Sequence, residues 1–312
     1  GKKNTKNSVS LNARYGWQKQ NFPRPADAET YLSNYVQSET LQGVTNRKYT
    51  QEEYNKWMQG TEYGYRPFDW YDFIWTTAPQ SYVGANISGG SEKVSNTNQQ
   101  SIIRDFGYFN RTNVQVNLDA QINERFKAGV SINGRYEKKK NPGVAGGDDY
   151  WTAMFATYRN LPVNRPYAND NPDYPALTNQ SDENFGMFTY DKSGYNLDIW
   201  RVMQLTGNLE YKILDGLTAK GLFGYYFADN QYDCHEYTYN LYDYDSANDK
   251  YNVVYTNSNP YRQEIRKYVE EYSSNIQLAY DKQFGKHKVF AMVGMEAKTR
   301  STPSLTVNTL PK

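Results

Sequence analysis

The chain has 312 residues, of which 16% are aromatic and only 38% are hydrophobic in all. A mean hydropathy of −0.91 suits disorder, but disordered chains are poor in aromatics and this one has 31 tyrosines, so disorder is excluded; a helical membrane protein is excluded too, because no apolar run approaches the ~18–20 residues a spanning helix needs. Lys and Arg number 35 against 34 Asp and Glu, so a formal charge of +1 provides no net field to attract nucleic acid.

The opening Gly1-Lys2-Lys3-Asn4 carries neither an initiator Met nor an apolar leader, and the chain reads as processed or partial. From Ser8 to Gln18 the residues alternate: Val9, Leu11, Ala13, Tyr15 and Trp17 fall on one face, with Ser10, Asn12, Arg14 and Gln18 on the other. Period two predicts a strand lying between two different surroundings. A long join runs from Gln20 to about Pro79, and within it Ala28, Tyr31, Leu32 and Tyr35 repeat at helical spacing while Thr50 and Glu53 form a capping box. Next come a strand over Tyr82 to Val94 and a hairpin that pairs Val114–Ile122 with Phe126–Tyr136 across Asn123, Glu124 and Arg125.

After a second long join, 138–199, Leu205–Tyr211 and Leu217–Phe227 flank an Asp215-Gly216 turn. A third join, 229–267, precedes the last pair, Tyr272–Tyr280 and Val289–Met295. Connections are therefore short at one end of the strands and long at the other, and the strands exceed the roughly 5–6 residues usual in soluble sheets. Short turns, long opposite loops and strands edged by aromatics such as Tyr15, Trp17, Tyr225 and Phe227 predict an all-β, antiparallel transmembrane barrel with short helices in its external loops. A soluble β-sandwich or propeller shares the alternation and is the competing reading.

Several segments resemble the SusC/RagA class of TonB-dependent outer-membrane transporters: Asp69-Trp70-Tyr71-Asp72, Ala78-Pro79-Gln80, Ile87 to Ser95 with its Gly-Gly-Ser-Glu-Lys run, and Phe109-Asn110-Arg111-Thr112-Asn113 leading into a strand. The resemblance implies an outer-membrane barrel of about 22 strands, of which residues 1–312 are the N-terminal part, with the plug domain absent. It further implies a SusD-like surface lipoprotein as partner, TonB acting through the missing plug, and import of oligosaccharide, or alternatively oligopeptide. Only eight strands are firm in the sequence, and parity demands one more rising strand in Ser95–Arg111, a segment that reads as too short and too polar for one.

Catalytic constellations are scarce, so no enzyme is expected. Cys234 and His235 have no further Cys or His at ligand spacing, and His287 reads as a solvated turn residue. The pairs Asp148-Asp149 and Glu270-Glu271 have nothing to fix a carboxylate separation. Asp243, Asp245 and Asp249 suggest a calcium loop, but Ala247 and Asn248 occupy positions where an EF-hand needs an oxygen ligand and Gly; calcium remains only a weak alternative to no cofactor at all. Gly143, Gly146 and Gly147 do not form a phosphate loop, and Lys138-Lys139-Lys140 meets either solvent or phosphorylated lipid headgroups at the outer rim.

The aromatics Trp70, Tyr71, Trp75, Tyr150, Trp151, Tyr158 and Trp200 fall in or beside the external loops, where flat rings either pack or contact a sugar or a protein partner. Asn12, Arg14, Asn117, Asp119, Arg135 and Asn208 are expected to line a wetted lumen, with their apolar neighbours against outer-membrane lipid. A soluble carbohydrate-binding or carbohydrate-cleaving β protein with the same aromatic loops is the rival from another class.

Overall fold

The computed structural model describes residues 8–88, 91–143, 149–179, 184–258 and 260–309. In chain order the elements are β1 (Ser8–Gln18), α1 (Ala28–Leu41), α2 (Gln51–Gln59), α3 (Trp70–Ile74), β2 (Ala78–Ser88), β3 (Ser91–Gln100), β4 (Tyr108–Gln121), β5 (Phe126–Pro142) and α4 (Asp149–Arg159). There follow β6 (Gly194–Leu214), β7 (Leu217–Glu236), β8 (Tyr239–Asp245), β9 (Lys250–Asn257), β10 (Arg262–Phe284), β11 (His287–Ser301) and β12 (Ser304–Thr309). Ten strands form one antiparallel sheet in the order β1-β2-β3-β4-β5-β6-β7-β10-β11, with β12 continuing β11 along the far half of β10. The sheet is open, its edges being β1 and the β11–β12 line. Among the described residues no helix is long and apolar enough to cross a membrane.

Register separates the two faces cleanly. Residues opposite one another in neighbouring strands share a face, so the row Leu11, Ala85, Val94, Val114 runs on through Gly134 and Met203 to Phe227. A lower row joins Leu118, Val130, Gly207, Phe223, Ser274 and Ala297. This apolar face is uncovered: Val9 is 65% exposed, Leu118 52%, Val130 47% and Leu209 43%. On β6 the band runs from Met203 to Tyr211, roughly 26 Å along the strand at ~3.3 Å per residue, or roughly 20 Å in height at a tilt of ~40°. Aromatics gather at both of its limits, Tyr15, Trp17, Tyr136, Tyr225 and Tyr272 at one end and Phe126, Tyr211 and Tyr280 at the other.

The packed core lies away from the sheet. Trp70, Tyr71 and Ile74 of α3 with Trp75 just after it, Ile103 and Phe106, Ala153 and Ala156 of α4, Phe185, Met187 and Phe188, and Leu241 of β8 form one buried cluster built wholly from the loops. A smaller cluster seats Leu32 of α1 and Trp57 of α2 against Tyr49. α1 covers the residues at helical spacing and is capped by Asp27, whose carboxylate accepts from the Thr30 amide (2.8 Å), and the expected capping box opens α2, Thr50 and Glu53 capping one another reciprocally (2.7 and 3.2 Å).

Three sequence expectations are corrected. The second strand ends at Ser88 instead of continuing to Val94, and the rising strand that parity demands is β3, made from the end of that expected strand and the first residues of Ser95–Arg111, the rest of which is a loop and the start of β4. Val94 is the one apolar outward residue of β3; Glu92, one row deeper in the band, stands between Ile87 and Val116, the outward positions above Val94 are Asn96 and Asn98, and Asn96 donates to Thr112 on β4 (2.8 Å). The join 229–267 contains a ribbon, β8 with β9, that lies off the main sheet. The long strands also outlast their alternation, β6 starting at Gly194 and β7 ending at Glu236, because beyond the band both faces meet polar surroundings and period two fades while backbone pairing continues.

Candidate functional site

The second face of the sheet is polar. Asn12 and Arg14 on β1, Asn117 and Asp119 on β4, Arg135 on β5 and Asn208 on β6 all lie on it. One row crosses Arg14, Tyr82, Thr97, Arg111, Glu137, Trp200 and Asn230 in turn, and the Arg14 guanidinium sits 5.7 Å from the Tyr82 ring centroid. Asp119 and Asn208 lean over Gly129 from its two neighbouring strands, into space that any Cβ would occupy. Charges of both signs pair here: Glu137 with Arg111 (3.3 Å) and Arg135 (3.6 Å), Glu210 with Lys127 (3.3 Å) and Lys220 (3.8 Å), Glu271 with Lys298 (2.9 Å). Sequence reasoning missed these acids, although alternation assigns each of them to the same face as the cations.

Toward the long-loop end this face is covered. On β7, Leu222 is 47% exposed, whereas Ala228 and Cys234 farther up the same face are 1% and 2% exposed. The loop layer therefore folds over the polar side of the sheet and leaves the apolar band bare. Within that layer the loops are clamped together. Trp75 donates from Nε1 to Thr157 Oγ1 of α4 (2.8 Å), and Trp70 donates to the Asn164 carbonyl (3.0 Å). Arg104 donates to the carbonyls of Asp72 (2.7 Å) and Phe73 (3.1 Å). Arg24 pairs with Asp69 (2.9 Å) and Asp72 and lies 4.5 Å from the Tyr71 ring centroid, holding the Asp72 carboxyl below the usual carboxylate range.

The seven loop aromatics thus separate into two groups. Trp70, Tyr71 and Trp75 are spent in packing and present no face to a ligand, and Trp200 is half-buried on the polar face beside Glu137 and Asn230. Tyr150, Trp151 and Tyr158 are exposed on α4, where Phe155 joins Trp151 and Tyr158 in a stripe at helical spacing. That i, i+4, i+7 spacing is present in the sequence. Opposite it, Ala153, Ala156 and Thr157 are buried, so α4 is anchored by small residues and offers its rings outward.

A tyrosine cluster ties the β8–β9 ribbon to the other loops. Tyr174 stacks on Tyr251 with centroids 3.8 Å apart, and Tyr63 meets Tyr244 at 5.1 Å. Tyr244 donates to Asp249 (2.7 Å), which pushes its phenol up to about 12. Asp245 accepts from the amides of Ala247 and Asn248 (3.0 and 3.3 Å), so the suggested calcium loop is the tip of a hairpin, and no group of three His, Cys, Asp or Glu side chains placed to hold a metal occurs among the described residues. Gly146, Gly147 and Asp148 lie outside the described residues.

Cys234 and His235 point to opposite faces of β7 and form no nucleophile pair. The thiol is buried and pushed up by that burial, while a ring nitrogen of His235 accepts from Arg262. Burial first, then Arg262, holds the imidazole below its ordinary pKa. A folded-state value below the unfolded ~6.5 means the neutral ring stabilises the fold above that pH, and the contribution is lost as pH falls through the lowered value. His235 is expected to titrate below ~6.5 by NMR, with lower amide protection factors (exchange relative to the intrinsic rate) at the base of the 237–261 segment on acidification; His235→Gln should abolish that pH dependence. An ordinary midpoint would contradict the assignment.

No family model matches the sequence, and no curated protein matches it. Solved structures do. The chain matches one from the RagAB peptide importer in its "open-open" state with a TM-score of 0.69 and 16% identity, covering all (100%) of this chain and 36% of that one. A chain of the same importer in its "closed-closed" state gives 0.67 and 16%, covering 99% and 39%, and one from the RagAB peptide transporter gives 0.66 and 16%, covering 97% and 36%. At such identity the likeness establishes the fold, and this chain spans less than two-fifths of the length of those chains.

Proposed function

We propose that the chain forms part of the barrel wall and outer mouth of a TonB-dependent outer-membrane importer of the SusC/RagA class. The observation that carries this reading is the two-faced sheet: an uncovered apolar band edged by aromatics on one side, and a polar, charge-paired wall overhung by loops on the other. Lipid is the solvent that suits the first face and a water-filled passage the second. Further strands of the whole protein would pair with the open edges at β1 and β11 and close a barrel of about 22 strands, because unpaired backbone groups are not tolerated in hydrocarbon.

In this reading the loop core is a rigid scaffold and the exposed stripe on α4, with Tyr150, Trp151 and Tyr158, contacts either the cargo or a SusD-like lipoprotein. Asn12, Arg14, Asn117, Asp119, Arg135 and Asn208 line the passage and do no chemistry. The cargo is an oligosaccharide, for which flat aromatic faces are suited. An oligopeptide is the second reading, favoured by the peptide importers that share the fold and by a wall whose paired charges suit a zwitterionic chain. Uptake of labelled oligosaccharides and oligopeptides by cells carrying the intact protein, with and without TonB, tests the proposal. Uptake of one class that stops when TonB is removed is expected; uptake independent of both the protein and TonB would overturn it.

A further inference from the structure

The run Lys138-Lys139-Lys140 divides between the two faces. Lys139 faces the polar side, while Lys138 and Lys140 lie on the apolar-band face of β5, with Ile199 and Leu197 of β6 as their register partners and Asn110 and Tyr108 of β4 on the other side. Both lysines are half-buried. Lys138 Nζ stands 5.9 Å from the centroid of Tyr108, and Lys140 Nζ stands 4.9 Å from that of Tyr190 and 5.7 Å from that of Tyr195. The nearby acids on this face are engaged elsewhere: Asp229 pairs with Arg201 (2.8 Å) and Asp233 with Arg266 (2.7 Å). Among the described residues no carboxylate comes within ion-pair distance of Lys138 or Lys140.

Two partly desolvated cations beside tyrosine faces have no counter-anion among the described residues. Their height supplies one. Lys138 is four residues beyond Gly134, in the last row of the band, which is roughly 13 Å along the strand and roughly 10 Å in height at a ~40° tilt. A lysine side chain reaching back from there brings the Lys138 ammonium into the headgroup layer, ~5–8 Å deep beyond the hydrocarbon, while Lys140, six residues beyond Gly134 and so roughly 15 Å up, brings its own to the outer edge of that layer. We infer that Lys138 and Lys140, framed by Tyr108, Tyr190 and Tyr195, bind the phosphate of a membrane-lipid headgroup at the outer rim. The inference rests on the membrane reading above, and it leaves Lys139 outside the site.

The test is native mass spectrometry of the intact protein, extracted in mild detergent and incubated with bisphosphorylated lipid A, with the same lipid stripped of its phosphates, and with inorganic phosphate as competitor. Wild type and Lys139→Gln should retain the phosphorylated lipid. Lys138→Gln/Lys140→Gln should lose affinity roughly 10- to 30-fold, as expected for two basic residues near a charged membrane surface, and inorganic phosphate should not displace the lipid. Equal retention by the double variant, or equal binding of the stripped lipid, overturns the site; displacement by inorganic phosphate makes it a soluble-anion site and overturns the lipid assignment. Each protein is also checked for outer-membrane fractionation and a heat-dependent gel shift. A wild type that fails that check removes the membrane reading, whereas one that passes while the lysine variants bind normally removes only the lipid site.

Discussion

Ile276→Arg is expected to cost the intact protein about 2–4 kcal/mol, the range for a cation placed at the bilayer midplane on the lipid face of a barrel. Ile276 is suited to this test because it lies within the band on β10, between β7 and β11, and is 47% exposed, so no packing is lost when it is replaced. The next residue, Gln277, faces the polar side, where it donates to Asn275 (2.8 Å). Gln277→Arg should therefore be tolerated, with a normal heat-dependent gel shift, while Ile276→Arg reaches the outer membrane at reduced level. In a soluble protein both residues would face water or a partner, and the two substitutions would not differ in this direction.

Trp75→Ala is the second substitution with a large expected effect, about 3–5 kcal/mol for a large buried aromatic. Its side chain packs edge-on against Phe22 (5.0 Å) and Tyr150 (5.8 Å) and donates to Thr157, while its backbone bridges to Ile103. Four loop segments meet at this one residue. The loss should fall on the loop layer and spare the sheet, whose strands hold one another by continuous pairing. Limited proteolysis should then cut within 20–77 and 143–193 of the variant far faster than in wild type, at an unchanged heat-dependent gel shift. Loss of the gel shift itself would mean that loops and sheet form one cooperative unit.

What could be read from the sequence was whatever sits between unlike solvents. Val9, Leu118, Val130 and Leu209 alternate with polar neighbours because one face of each strand meets something apolar and the other meets water, and the structure leaves all four bare on one side. β3 was invisible for the complementary reason: Asn96 and Asn98 stand above the band and Glu92 lies within it, so Val94 is the one apolar residue on its outward face and no alternation shows. The β8–β9 ribbon carries Tyr, Asn and Asp on both sides and gives no period at all. In the loops, composition shows aromatics but not their burial, since the rings of Trp70 and Trp75 are surrounded by residues from segments distant in the chain. The stripe of Trp151, Phe155 and Tyr158 was legible at helical spacing, and only the ring-rich composition around it obscured the period.

The most direct measurement is a scan of single spin labels along β10, from Tyr272 to Tyr280, in the intact protein reconstituted in lipid vesicles with Cys234 replaced by Ser. Labels at 272, 274, 276, 278 and 280 should collide preferentially with oxygen dissolved in the hydrocarbon, and labels at 273, 275, 277 and 279 with a water-soluble nickel chelate. Equal accessibility to both reagents at every position, or an alternation of opposite phase, would contradict a sheet set between lipid and a watery passage.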